Sequence, residues 1–316
     1  AAVYGALEWE GPTGYRSTRG RRVALAEVEH SAVREASERY ASPGGVTSIA
    51  VDETGRLVTE SVEAALADPE VTLTHCQWAN HEVGTIQPVS TVVDACRERG
   101  VLVHVDAAAA AGHVPVAFDH LGADFMSISA HKLGGPRGIG ALLVRRGLRV
   151  PPLLVGGAQE RARRGGLENV AAAVGFGAAT AELAADDRMA AEAAAAAGFT
   201  DRLRAASTAV DGVQAYGALD AGDRLPYLLS VGIRGVEAEG VLIALDQGGV
   251  AAHSGSACSS ELLEPSPVLA AMGVDGERSL RLSVGWSTTD AEVTMAAEAL
   301  PVVIARLRAL AGGAVR

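Results

Sequence analysis

Short apolar runs alternate with longer stretches of helical periodicity through the first half of the chain. Residues 23–28, 46–51, 71–76, 101–105, 124–128 and 141–144 each have the length and apolar content of a buried strand. Helical patterns occupy 31–40, 59–67 and 89–99 between them. Strand, polar tip and helix repeating in this order predict a mostly parallel sheet covered by helices on both faces. After a Gly- and Arg-rich loop at 156–166 comes a long helical stretch at 168–206, so rich in alanine that helix is the expected state, with Gly198 as a candidate kink. Beyond it the rhythm changes. Strands at 213–216, 227–233 and 278–284 are separated by helices at 237–247, 265–272 and 290–310, the signature of a smaller α+β domain. The expected division is a large domain over 1–207, including the connecting helix 168–206, and a small domain over 208–316. Residues 1–8 read as the middle of a helix without an N-cap, so a segment upstream is expected to be missing.

Ligands of parallel α/β sheets sit beyond the carboxyl ends of the strands. His30, Asn80, Asp106 and Lys132 all follow predicted strand ends and can converge there. Lys132 ends the run Ser127-Ile128-Ser129-Ala130-His131-Lys132, just before a turn containing Gly134, Gly135, Pro136 and Gly138. A lysine at a strand end, partly desolvated, can attack a carbonyl carbon and form a Schiff base, whereas an ordinary loop lysine is solvated. Asp106 closes an apolar strand and needs a cationic or hydrogen-bonding partner; a cofactor nitrogen, a helix N-cap or a structural ion pair would serve. His30 suits stacking on a flat ring or proton transfer, or simply the start of a helix beside Ser31. Ser129 and His131 can bind a phosphate, or bond backbone and water.

Two features lie in the second half. His253-Ser254-Gly255-Ser256-Ala257-Cys258-Ser259-Ser260 is a loop of small residues that presents a cysteine, fit to carry a nucleophile toward a substrate. Cys76 and Cys96 sit in apolar patterns and read as buried structural residues. Arg281, within Leu280-Arg281-Leu282-Ser283, is a guanidinium in an apolar strand; a substrate carboxylate or a buried acidic side chain would justify it.

Charge and composition narrow the function classes. A net charge of −11 argues against a nucleic-acid surface, which needs clustered Lys and Arg. The three cysteines have neither paired nor metal-type spacing, which points to a reducing compartment. No apolar run approaches the roughly 20 residues that span a bilayer and the start lacks signal-peptide character, so the expected location is the cytoplasm, without membrane attachment.

The motifs around His30, Asn80-His81-Glu82-Val83-Gly84, His104-Val105-Asp106-Ala107, Ser129-Ala130-His131-Lys132, Gly135-Pro136-Arg137-Gly138-Ile139-Gly140, Ser254-Gly255-Ser256-Ala257-Cys258 and Leu280-Arg281-Leu282-Ser283 occur in one order. In order and spacing the chain resembles the cysteine desulfurases, class V aminotransferase relatives among the fold-type I pyridoxal phosphate enzymes. The continuation Glu261-Leu262-Leu263-Glu264-Pro265-Ser266 is similar to the group with an extended cysteine loop. The resemblance implies a mostly parallel seven-stranded sheet sandwiched by helices, a smaller C-terminal domain and a homodimer. It implies pyridoxal 5′-phosphate held by Lys132 as a Schiff base, with Asp106 on the ring nitrogen, His30 stacked on the ring, Ser129 and His131 on the phosphate, and Asn80 and His81 beside cofactor and substrate. Arg281 would hold the carboxylate of L-cysteine, and Cys258 would take its sulfur as a persulfide, leaving L-alanine and passing sulfur to an acceptor protein for iron–sulfur assembly or for tRNA or DNA thiolation.

The chain departs from that pattern at Ala109, where the family has Gln, at His81, where it has Asn, and at Leu167, where it has Thr. A Gly/Thr-rich phosphate loop is expected upstream of the first residues. A lyase acting on another sulfur or selenium amino acid, and a non-catalytic scaffold, are the alternative expectations.

Overall fold

The computed structural model describes residues 1–8, 21–255 and 266–313. They form two compact units. The first comprises Ala1–Val51, Leu57–Ala79 and Gln87–Arg188; the second takes the short loops Asp52–Arg56 and Asn80–Ile86 together with Met189–Arg316.

In the first unit, β1 (Arg22–Ala26), β2 (Val46–Ile49), β3 (Val71–Gln77), β4 (Leu102–Asp106), β5 (Phe125–Ser129) and β6 (Gly140–Val144) form one sheet in the order β2-β1-β3-β4-β5-β6. All neighbours are parallel except β5 and β6. The helices are α1 (Ala2–Leu7), α2 (Ser31–Tyr40), α3 (Thr59–Leu66), α4 (Val89–Arg99), the single turns α5 (Phe118–Leu121) and α6 (Gln159–Ala162), and α7 (Val170–Ala184). Among the described residues the sheet has six strands, not the seven that the resemblance implies, because the chain supplies six apolar runs of strand length here. One core joins Val23 and Leu25 of β1, Leu73 of β3, Leu102 of β4 and Phe125 of β5 to Val3 and Ala6 of α1. Burying side chains of this size contributes roughly 1.5–3 kcal/mol each, which makes the sheet a rigid base for the residues at its ends.

The stretch expected as one helix over 168–206 is two. The helix α7 ends at Ala184, and α8 (Arg188–Thr208) starts after Asp186 and Asp187, both in the left-handed region at φ 46° and 55°. Short polar side chains tolerate that conformation better than alanine does, so the break falls on the aspartates and Gly198 stays inside α8.

The second unit is antiparallel. β7 (Val213–Tyr216), β8 (Leu228–Ile233), β10 (Ser279–Ser283) and the two-residue β9 (His253–Ser254) pair in the order β7-β8-β10-β9. Helices α9 (Ala238–Gln247), α10 (Pro267–Ala271) and α11 (Asp290–Gly313) complete it. Leu229, Val231 and Ile233 of β8, Leu280 and Leu282 of β10, Val241 and Leu245 of α9 and Leu300 and Ile304 of α11 form its core. The helix expected from Pro265 has Ser266 as N-cap, its hydroxyl accepting the Leu269 N–H; Pro265 itself lies outside the described residues. Among the described residues no helix is long and apolar enough to cross a membrane.

Candidate active site

The predicted residues fall into two sets, one in each unit. In the first unit, β5 runs into a 3-10 turn, Ala130–Leu133, that carries Lys132. The turn is closed by the Gly135 N–H on Ala130 O (2.8 Å) and the Ala130 N–H on Ile139 O (3.1 Å), and the His113 ring meets Lys132 O through Nε2 at 2.8 Å. Gly112, at φ +84°, passes directly beneath: a Cβ there would stand 2.7 Å from Leu133 Cβ. Apolar Leu133 is thus pinned, and the next side chain, Lys132, is turned outward and exposed rather than partly desolvated.

Asp106 ends β4, opposite Gln77 on β3 and Ser127 on β5. Its Oδ1 accepts the Ala108 N–H at 2.9 Å, and among the described residues no cationic side chain forms an ion pair with it. Of the three partners open to it from the sequence, the structural ion pair is therefore not used. His30 starts a helix, the plainer of the roles its position allowed. Its Nδ1 accepts the Ala32 N–H at 3.1 Å, capping α2, and its ring lies within electrostatic reach of Asp106 and Lys132. Burial lowers the His30 pKa most, Asp106 opposes that shift, and Lys132 and Arg34 reinforce it. A neutral ring accepting at Nδ1 carries its proton on Nε2. Ser129 Oγ and His131 Nδ1 hydrogen-bond each other at 2.8 Å, at the edge of the same turn.

Beneath these groups lies a polar layer that the sequence reading passed over. Glu29, one residue before His30, is 1% exposed; its Oε1 accepts the Gln77 N–H at 2.6 Å. Gln77 in turn donates its side-chain N–H to Val28 O at 2.8 Å. Further down the sheet, His75 and His104 meet Nδ1 to Nδ1 at 2.8 Å, and His104 Nε2 meets Ser127 Oγ at 2.8 Å. The signal was available: His104 and Asp106 are two apart on one strand and share a face. A second overlooked signal is simpler. Lys132 is the only lysine in the 316 residues, against 26 arginines. Guanidinium stays protonated and cannot act as a nucleophile, so the chain holds one ε-amine and places it at this turn.

In the second unit, Asn80 is fully buried, and its Oδ1 accepts the Glu82 and Val83 N–H groups at 2.8 and 2.9 Å, shaping the turn to Gly84. His81 Nε2 lies 3.6 Å from Glu82 Oε1. Glu82, itself buried, accepts a hydrogen bond from the Ser266 hydroxyl. Arg281 donates from Nη1 to His81 O at 3.3 Å, and no acidic side chain among the described residues pairs with it. It faces away from buried Leu280 and Leu282, beside Tyr227, whose phenol burial pushes up to about 12 while the guanidinium pulls it down. Cys258 lies outside the described residues. Cys76 and Cys96 are buried; burial pushes both thiols up, Cys96 to about 11.

These residues fit pyridoxal phosphate in part. An outward-facing primary amine, a strand-end carboxylate without a cationic partner among the described residues, an imidazole in electrostatic reach of both and a Ser–His pair are the donor set that an aldehyde, a pyridine nitrogen, a flat ring and a phosphate require. Ala109, buried, and Leu167, 88% exposed, have no side-chain hydrogen-bonding group.

Comparison with known proteins agrees with that chemistry. The aminotransferase class-V family model matches residues 12–295. A cysteine desulfurase IscS of Clostridium botulinum is 35% identical over 92% of this chain and 74% of its own length. A cysteine desulfurase of Gluconacetobacter diazotrophicus is 40% identical over 90% of this chain and 72% of its own length. A solved structure of a NifS-like protein superposes with a TM-score of 0.83 at 28% identity, covering 96% of this chain and 81% of that one. Family coverage and identity show that the chain belongs to the aminotransferase class-V family, a family of pyridoxal phosphate enzymes, and within it to the cysteine desulfurases.

Proposed function

We propose that this protein is a pyridoxal phosphate-dependent cysteine desulfurase, a sulfurtransferase that converts L-cysteine to L-alanine and stores the sulfur as a persulfide on Cys258. The observation that carries the reading is the single lysine of the chain, Lys132, in the turn that follows β5, with the His30 ring within electrostatic reach of both Lys132 and Asp106. Bound pyridoxal phosphate supplies an electron sink that makes bonds at the substrate α- and β-carbons labile.

The protein's own groups supply the rest. Lys132 provides the amine for the cofactor aldehyde. Asp106 would offer a carboxylate to the ring nitrogen and favour its cationic form. His30, a neutral ring with its proton on Nε2, would stack on the cofactor ring and hold a proton available there. Ser129 and His131 contribute donors to the phosphate. Asn80 and His81 would contribute to binding cofactor and substrate, Asn80 through the turn it shapes, and Arg281, which has no acidic partner among the described residues, would offer its guanidinium to the substrate carboxylate. Cys258 attacks as a thiolate: a sulfur–sulfur bond forms, the substrate carbon–sulfur bond breaks with its electron pair going to carbon, and protonation of that carbon yields alanine. The persulfide then passes to an acceptor protein in iron–sulfur assembly or in tRNA or DNA thiolation, in the cytoplasm.

Homodimerisation is part of the reading. The apolar helix α7 has only Ala172 buried, and Val155, Leu167, Val170 and Val174 around its start are exposed, a patch that a second copy would cover.

Incubation with pyridoxal phosphate followed by borohydride should label one side chain, Lys132, and the Lys132→Ala protein should show neither the label nor the visible absorption band. A visible absorption band that survives unchanged in Lys132→Ala would overturn the assignment. With L-cysteine and a reductant the products should be sulfide and alanine in equal amounts; pyruvate would point to a lyase, and full sulfide release by Cys258→Ser would exclude the persulfide.

A further inference from the structure

Glu29 lies in the strand-end row, yet the chemistry above gives it no task. Its carboxyl is enclosed: Oε1 accepts the Gln77 N–H at 2.6 Å, while Oε2 is buried without a hydrogen-bond partner. Among the described residues no Lys, Arg or His pairs with it. The titratable groups that face it are Asp106 at the end of β4 and the Cys76 thiol on β3, and neither is a cation. Gln77 links the two carboxyls through the backbone, since its N–H goes to Glu29 while its register partner on the neighbouring strand is Asp106.

An ionised carboxylate in that position would have one donor, no counter-ion and an anion for a neighbour. Asp106 is only part-buried and better solvated. We infer that Glu29 works as a neutral carboxylic acid, a positioning residue that leaves the carboxylate role near His30 to Asp106. Burial and the proximity of Asp106 both favour the protonated form of Glu29, and only the Gln77 N–H opposes them. A carboxyl held near a second carboxyl, with no cation beside it, favours the neutral form. The consequence is functional. A second fixed anion here would raise the proton affinity of His30 and compete with Asp106 for one cationic ring nitrogen. The inference rests on the role proposed for Asp106, but the protonation state of Glu29 can be read without the cofactor.

The test is infrared spectroscopy of cofactor-free protein near neutral pH, wild type against Glu29→Gln. The expected difference is the loss of one protonated-carboxyl C=O band. Loss of a carboxylate band instead overturns the inference, and so does a wild-type spectrum with no protonated-carboxyl absorption, which needs no variant at all. In the loaded protein, the visible band of Glu29→Gln should match wild type at neutral pH and lack the transition at which Glu29 ionises; a displaced band at neutral pH counts against the inference. Absence of any visible band in both proteins would refute the cofactor assignment while leaving the infrared result decisive for Glu29.

Discussion

The imidazoles of His75 and His104 meet Nδ1 to Nδ1 at 2.8 Å inside the sheet, one on β3 and one on β4, with ring planes inclined at 76°. Only one of the two nitrogens can carry a proton. If His75 donates, His104 Nε2–H is left to donate to Ser127 Oγ and the partnerless atom is a bare His75 Nε2; the opposite tautomers would strand a buried N–H there. Orphaned donors are the rarer case, so the first assignment holds.

Both rings are neutral because burial lowers their pKa values, His75 further by its partner. A histidine whose folded-state pKa lies below its unfolded value binds more protons when unfolded, so stability is present above about pH 6.5 and drains away as pH falls through the unfolded pKa toward the folded one. Denaturant midpoints should therefore decline below about pH 6.5, at up to about 1.4 kcal/mol per pH unit for each ring. Replacing His75 by Phe should flatten that decline; an unchanged pH dependence would mean the pair is not the source.

Asp106→Asn separates charge from shape. The amide keeps an oxygen for the Ala108 N–H, so the thermal midpoint should stay close to wild type. Turnover should fall about 100-fold or more, the scale on which removing one preorganised electrostatic partner acts. Equal losses of stability and turnover would make Asp106 a structural residue.

Arg281→Lys keeps the positive charge but loses the planar fork. With no acidic side chain among the described residues to pair with Arg281, and one 3.3 Å hydrogen bond to His81 O, the change should cost little stability. It should raise KM for L-cysteine by about 10- to 100-fold, since charge-assisted bidentate contacts contribute roughly 1.5–3 kcal/mol. A loss confined to kcat would move Arg281 out of substrate binding.

Thiol labelling should divide the three cysteines. Cys76 and Cys96, buried and held as thiols by their surroundings, should resist alkylation in the folded protein and react only after denaturation, while Cys258 should react in the native state. Native labelling at Cys76 would show that the face of β3 opens.

Much of this was legible in the residues because strand and helix differ in period. Runs such as residues 71–76 and 124–128 have no helical face, so β3 and β5 followed, and the polar residues after them fell at strand ends as parallel topology requires. What escaped were groups whose role depends on cross-strand neighbours. Nothing local to Glu29 says that its carboxyl ends beneath Gln77, since 48 residues separate them. His75 and His104 each look like a misplaced polar residue until the register of β3 and β4 puts them face to face. The break between α7 and α8 escaped because the surrounding alanines outweigh two aspartates in any propensity sum.

The single antiparallel pairing of the first sheet has a kinetic meaning. Phe125 pairs with Val144 and Ser129 with Gly140, so residues 130–139 form a hairpin loop with Lys132 inside it. Hairpins close in about 1–10 μs and need no crossover helix, whereas Asp106 reaches its place only after β4 has docked beside β3 through parallel, sequence-distant contacts. The lysine-bearing turn is thus assembled early in folding from its own neighbourhood, and the carboxylate row arrives later to meet it.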